Sequence, residues 1–518
     1  MSCDRRFVHR VHRRPRGAWW SSVALALRIA LQASGASAGA VLDVPIVVNT
    51  YTTGTQGRPA VSAHDDGSFV IVWESRGQDG DYYGVFGQRF DGGGTRLGDE
   101  FLVNTYTVGP QFFPTVVALA SGGFVVAWQG YGLGGDYGDI FARRYDDQGA
   151  PTGSAFQVND PVPTYEAAPA VAALSNGDFV IVWDDYDNVL ARRYDSGGTQ
   201  LGSPFAVNTY TPGSQINASV AATSDGGFVI AWADGYNLSN GLDGSGYGVF
   251  ARRFDAGGAP RGDAFQVSAA TLGDQYAPAV AATIDGGFAV TWASSGDSGG
   301  TATVYARRFD ANGVAAGGDL QVNAETTGLA QAPRIAADSL GGFVVVWTDA
   351  EAPPSLSSTV RARRFDADGV PRGDELPLQD NSDPVQLEPA VAGLPGGEFV
   401  AAWRDDGADG ANPDVVARRA GGVPGAPTHT PTATPLSTNT ATPSPTQSRA
   451  PTGTAAVPAC AGDCNGNGQV TVDDLVLAVN IALGSQPVAR CAAVDRDGNG
   501  VVSVAELVTA VTRALNGC

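Results

Sequence analysis

Runs such as Phe69-Val70-Ile71-Val72-Trp73 are apolar at every position, with no alternation between wet and dry faces. A strand of that kind is covered on both sides. The run recurs, most cleanly as Gly-Gly-Phe-Val-Val-Ala-Trp, and places Trp73, Trp128, Trp183, Trp232, Trp292, Trp347 and Trp403 at intervals of 49 to 60 residues. A period of that size marks one structural unit stacked many times. Each unit holds four strand-like pieces. In the fifth, residues 277–282 lead through Asp285-Gly286-Gly287 into 288–292, and a variable loop precedes 304–310. Ala311-Asn312-Gly313 then turns the chain into 319–323. Asp-Gly, Gly-Gly and Asn-Gly between β-branched or aromatic runs signal hairpins, because these residues tolerate the positive φ of tight turns.

A single four-stranded unit cannot bury two faces alone, so its neighbours must sandwich it. Seven radial copies over residues 41–420 predict a β-propeller with four-stranded blades; an open β-solenoid is the main alternative. The last unit stops after Arg418-Arg419 without its closing strand, and Val44–Asn49 stands unpaired before the first unit. Those two ends predict a ring latched by its own N-terminal strand. The paired arginines (Arg143-Arg144, Arg192-Arg193, Arg252-Arg253, Arg307-Arg308, Arg363-Arg364, Arg418-Arg419) recur in nearly every unit. Repetition favours a scaffold role, packing or pairing with repeated Asp or Trp.

Outside the repeats the pattern changes three times. Residues 1–38 carry a basic lead with six arginines, an apolar run from Ala18 to Ala33 and the small-residue pattern Ala36-Ser37-Ala38, which predicts a secretory signal peptide. Residues 421–459 turn to Thr, Pro, Ser and Ala, a composition that forms an extended spacer. Residues 460–518 hold four of the five cysteines: Cys460, Cys464, Cys491 and Cys518. An even number in a small exported module predicts two disulfides, with three pairings open. The net charge is −21, and the chain has no lysine. Such a surface argues against nucleic acid or an anionic membrane as partner. The mature protein is expected to be secreted or displayed at the cell surface, with no span after signal removal.

The strongest motif lies in the tail. One loop places Asp463, Asn465, Asn467, Gln469, Thr471 and Asp474 at ligand positions, and a second places Asp495, Asp497, Asn499, Val501, Ser503 and Glu506. Ca²⁺ takes six to eight hard oxygens around a tight turn, and this spacing supplies them, with a backbone carbonyl at position 7 (Gln469 and Val501). The two halves repeat at an offset of 32 residues, and each loop runs into an apolar stripe at helical spacing. Two Ca²⁺ sites in a small α-helical, EF-hand-like module follow, with the tighter at the second loop.

This pair of loops and helices resembles the type I dockerin family over about 55 residues. The resemblance implies docking to a cohesin-like or other cell-surface protein. The hydroxyl pair common at loop positions 10 and 11 of that family is replaced here by Val472-Asp473 and Val504-Ala505. The repeats, with Gly-Gly-Phe-Val-Val-Xaa-Trp followed by Phe-Ala-Arg-Arg-Phe-Asp, resemble bacterial exported propeller-like repeat proteins, a group with no single activity.

The ring offers no catalytic residue by motif. It has one histidine, His64, no cysteine and no Gly-Xaa-Ser-Xaa-Gly elbow. Carboxylate pairs for glycoside hydrolysis need separations that sequence does not give. The loops at 77–83, 134–137, 184–187, 241–247 and 405–409 follow the tryptophans and share one rim. Their Asp, Gly and Tyr suit calcium or sugar stacking, though solvated turns explain the same composition. The leading expectation is a non-catalytic binding or adhesion ring, with polysaccharide at its rim and an attachment tail. A carbohydrate-active enzyme, glycoside hydrolase or lyase, is the alternative, and a purely structural surface protein is the third reading.

Overall fold

The computed structural model describes residues 41–421 apart from 132–137, 162–163, 236–241, 296–301, 325–327, 352–356, 380–384 and 408–411, together with Ile481, Cys491, Ala493 and Val502. The chain forms two compact units, Met1–Thr432 and Ala433–Cys518. Among the described residues of the first unit, regular structure is strand throughout, save one 3-10 turn at Pro395–Gly397.

Gln56–Ala63, Phe69–Arg76, Tyr83–Phe90 and Arg96–Leu102 form an antiparallel meander. The same blade recurs with first strands opening at Gln111, Ala167, Gln215, Asp274 and Leu329. Parallel pairings of Ala302 with Leu329 and of Ser358 with Val385 link neighbouring blades edge to edge. The final blade, Gln386–Gly393, Glu398–Asp405 and Asp414–Gly421, takes its outer strand from the start of the chain. Ile46 pairs with Ala417, and Val47 with Val416. Asn49 accepts the Val415 N–H at 2.8 Å. Asn104, Asn159, Asn208 and Asn323 accept the matching N–H in other blades. First strands pack side by side, and the one opening at Gln386 packs on the one opening at Gln56.

The apolar runs occupy the second strand of each blade, between two partner strands and two neighbouring blades. All seven repeat tryptophans are at most 2 % exposed. The core lies between blades: Phe69 and Trp73 pack with Val400 and Val415 of the final blade, and Val180 and Val182 pack with Trp232 of the next. The leading Phe of the second strand stacks on the last aromatic of the third, as in Phe69–Phe90 (4.9 Å) and Phe288–Phe309 (5.0 Å). Glycine is required at the hairpin between them: Gly286 has φ +88°, and a Cβ on Gly287 would meet the Phe309 carbonyl at 2.3 Å.

The arginine pairs are scaffold, but their main partners are not the Asp or Trp side chains expected from sequence. The first arginine of a pair reaches back to a carbonyl of the preceding blade: Arg143 to Val103, Arg252 to Val207, Arg307 to Val267, Arg363 to Val322 and Arg418 to Leu378. The second reaches forward to a turn of the next blade, as Arg144 does to Gly197 and Arg253 to Asn312. A guanidinium is long and multi-donor, so it satisfies carbonyls that no strand can reach. Where the first blade has Gln88, Arg96 instead donates to the Val47 carbonyl at 2.6 Å.

In the second unit Ile481, Cys491 and Val502 are buried, and Cys491 is disulfide-bonded. The candidate calcium-ligand positions, the partner of Cys491, the spacer and the signal segment lie outside the described residues.

Candidate functional site

Every first strand carries the same irregularity. The register slips by an extra residue, as between Gly57 and Ala60, and the residue at the slip has left-handed backbone. These are Arg58, Phe113, Ala168, Asn217, Ala277, Ala332 and Glu388, with φ between 48° and 57°. A non-glycine residue there costs on the order of 1–2 kcal/mol. The bulges line one mouth of a central channel formed by the first strands. Their backbone is repeated while their side chains are not, so the mouth is asymmetric.

The charged part of the mouth spans the final and first blades. Arg58 Nε lies 3.8 Å from Glu74 Oε2 and 3.6 Å from Glu388 Oε1. Its guanidinium also stands 4.1 Å from the centre of the Phe113 ring, a cation–π distance. The N–H groups released by the bulges point at carboxylates. Arg58 N donates to Glu388 at 2.7 Å, Phe113 N to Glu74 at 2.6 Å, and Asn217 N to Asp184 at 3.1 Å. Arg334 opens to the channel yet is surrounded by protein, and that enclosure lowers its guanidinium pKa against the opposing pull of Glu388.

Burial pushes the Glu74 carboxyl up to about 7; Arg58 and the Phe113 N–H hold it partly down, and Glu388 adds to the rise. Burial, with the charges of Asp185 and Glu166, takes Asp184 to about 7 against the Asn217 N–H. Glu166 is raised by burial as well. Carboxylic acids that keep a proton near neutrality in a cleft are equipped to donate it.

Aromatic rings lead away from this point. Phe113 lies 6.3 Å from Phe112, which lies 5.4 Å from Tyr83 and 6.2 Å from Tyr131. Tyr131 lies 6.3 Å from Tyr165, and Tyr165 stacks on Tyr186 at 5.1 Å. Tyr82, Phe113 and Tyr186 are exposed.

The opposite mouth is lined by hairpin turns, including His64, Asp66, Ser68, Ser224 and Ile284. Burial lowers the His64 pKa against the charge of Asp66. The Ser68 hydroxyl donates to Asp66 at 2.6 Å, so the nearby serine is oriented by the carboxylate and not by the imidazole.

Among the rim loops named from sequence, Tyr82, Tyr83 and Tyr186 join the aromatic row, while the carboxylates serve the turns. Asp81 accepts the Gly109 N–H at 2.7 Å, and Asp185 accepts that of Asn188 at 2.7 Å. Among the described residues no three His, Cys, Asp or Glu side chains gather as a metal site. The loop residues 134–137, 241 and 408–409 lie outside the described residues. Sequence reasoning missed Arg58, Glu74, Glu388 and Phe113. The signal was available: the residue after each tryptophan is Glu74, Gln129, Asp184, Ala233, Ala293, Thr348 and Arg404, a position that varies inside an otherwise constant run.

No family model matches this chain, and no curated protein matches it. Among solved structures it is similar to a protein of unknown function from Dyadobacter fermentans, at TM-score 0.47 and 13% identity, covering 74% of this chain and 100% of that one. It is also similar to the α-L-arabinanase of Penicillium chrysogenum complexed with arabinobiose (0.43, 13%, 64% and 99%). A third is the β-propeller domain of the Trilobed protease from Pyrococcus furiosus (0.39, 11%, 71% and 94%).

Proposed function

We propose that the chain is an exported, seven-bladed propeller that acts on carbohydrate at the channel mouth, as a carbohydrate-active enzyme carrying a dockerin-like tail. The observation that carries this reading is the meeting at Arg58 of two acidic side chains from different blades, Glu74 and Glu388. One of the two is held protonated to about pH 7. Glycosidic cleavage needs that pairing: one carboxylic acid donates to the leaving oxygen, and a second carboxylate activates water or attacks the sugar. Glu74 is the acid in this scheme. Glu388, whose Oε2 accepts the Arg58 N–H, is the partner placed to activate water or attack the sugar. Arg58, within 4 Å of both carboxylates, holds the two side chains at one point of the mouth.

A second reading keeps the ring as a non-catalytic binding module. The position of the Arg58 guanidinium, within 4 Å of both carboxylates, favours it, because a cation in that place neutralises the pair and occupies space near it. Incubating the purified protein with a polysaccharide panel and measuring released reducing ends separates the two. Release that is lost in both Glu74→Gln and Glu388→Gln supports catalysis; depletion of the protein onto polymer without release supports binding alone.

The tail is proposed to hold two Ca²⁺ ions and to attach the ring to a cohesin-like or other cell-surface partner. Asp463, Asn465, Asn467, Thr471 and Asp474 would hold one ion, and Asp495, Asp497, Asn499, Ser503 and Glu506 the other, each completed by the carbonyl of Gln469 or Val501. The donor set is all hard oxygen, as Ca²⁺ requires.

A further inference from the structure

We infer that the row of aromatic side chains across the first three blades is a docking track for an unbranched, uncharged polysaccharide, delivering the polymer to Arg58, Glu74 and Glu388. This rests on the carbohydrate reading above and names the class of substrate that reading leaves open.

The row is continuous. Tyr82 meets Tyr83 at 5.5 Å, Tyr83 meets Phe112 at 5.4 Å, and Tyr131, Tyr165 and Tyr186 follow at 6.2, 6.3 and 5.1 Å. It branches inward through Phe113, whose ring lies under Arg58. The track therefore touches the charged mouth at one point and extends to either side of it, as a site acting within a long polymer would.

Symmetry shows that the row is not scaffold. The third residue after the repeat tryptophan is Tyr131 and Tyr186 in two early blades, but Gly235, Ser295, Ala350 and Asp406 in the later ones. A feature that packed the blades would recur in all of them, as the tryptophans do. Its exposure also needs a cause: Tyr82 is 53 % and Tyr186 51 % exposed, although large aromatics are normally covered in a protein without a ligand for them. Tyr186 further adopts φ +71°, a conformation that a bulky side chain rarely takes.

The chemistry of the row selects its occupant. Five of its six members bear hydroxyls, so flat apolar faces alternate with hydrogen-bonding edges. A sugar ring has the complementary make-up, with C–H faces and hydroxyl rims. Gln129 donates to the Tyr131 hydroxyl at 3.4 Å, which orients that edge. Glu166 and Asp184 lie at the far end of the row, beside Tyr165 and two residues before Tyr186. The chain carries a net charge of −21, so a polyanionic glycan would be repelled. A proline-rich peptide is the other polymer that lies on aromatic grooves, but it offers few partners to these carboxyl and hydroxyl groups.

The test uses the full chain and two variants: Tyr165→Ala/Tyr186→Ala and the conservative Tyr165→Phe/Tyr186→Phe. Binding to glucan, mannan, xylan and arabinan is measured by retardation in polymer-containing native gels, with polygalacturonate as the charged polymer and a proline-rich peptide as the protein ligand. One of the uncharged polymers is expected to bind. Affinity should fall roughly tenfold or more in the double alanine variant and stay within a few-fold of the parent in the phenylalanine variant. Equal binding by parent and alanine variant overturns it, as does binding only of polygalacturonate or of the peptide, or no binding at all. Polymer binding that depends on the tyrosines without release of sugar ends upholds the track and removes the hydrolase. Release that ignores the tyrosine substitutions upholds the hydrolase and removes the track.

Discussion

Glu74 concentrates the chemistry of this ring in one side chain. Its folded pKa of about 7 exceeds the ordinary 4.5, so the folded state binds a proton that the unfolded chain releases between those values. Stability is therefore highest below about pH 4.5 with respect to this group, and falls as pH rises through 7. Replacing Glu74 with Gln mimics the protonated form and should flatten the pH dependence of denaturant midpoints over that window. An unchanged slope would mean that the carboxyl is already ionised in the fold. If Glu74 is the proton donor, sugar release should also decline above about pH 7. Ala277 tests the bulge. It sits at φ +51° with no charge to hold, and Ala277→Gly should stabilise the protein by about 1 kcal/mol by urea denaturation, since glycine enters that region freely.

Blades are joined by arginines whose targets are backbone carbonyls, and position decides their worth. Arg252 donates to the carbonyl of Val207, a residue with no exposed surface. Arg252→Ala should cost about 1–3 kcal/mol, because it leaves a buried acceptor unmatched. Arg261 pairs with Asp225, and both side chains are about one-third or more exposed; Arg261→Ala should cost less than about 1 kcal/mol. Chemical denaturation of the two variants side by side checks the contrast. Equal losses would mean that these arginines act through general charge and not through the carbonyls they reach.

At the scale of the whole molecule, the first and last described strands meet. Asn49 joins the start of the chain to the final blade through the Val415 N–H and, at 2.7 Å, through Asp414. Asn49→Ala should lower stability by about 1–3 kcal/mol, a loss comparable to that from Asn208→Ala within an unbroken blade. A negligible effect would show that the ring does not depend on its latch. The tail belongs to the other compact unit. Isothermal titration should give two Ca²⁺ per chain, with Asp495→Ala weakening the tighter class and Asp463→Ala the weaker. One ion per chain, or the reverse order, would refute that ranking.

Period, strand type and hairpin chemistry were legible in the sequence because they are local or repeated. Apolar runs demand two covered faces, Asp-Gly and Gly-Gly demand turns, and a fixed spacing demands identical neighbours. The unpaired strand at Val44–Asn49 and the truncated final repeat pointed to the closing strand, which the fold pairs through Val47 and Val416. The proposed calcium loops rest on the same kind of local reading, since all their candidate ligands lie within twelve consecutive residues. Glu74 and Glu388 stand far apart along the chain, and nothing near either names the other. Their meeting at Arg58 depends on which blades adjoin after closure and on a bulge that turns each first strand toward the channel. The same holds for Phe112, Tyr131 and Tyr165, which lie outside the named rim loops and join Tyr83 and Tyr186 only when three blades stand side by side. Sequence determined the unit and its repetition. The tertiary structure decided where the repetition breaks, because asymmetry among equivalent positions becomes a site only when the ring brings those positions together.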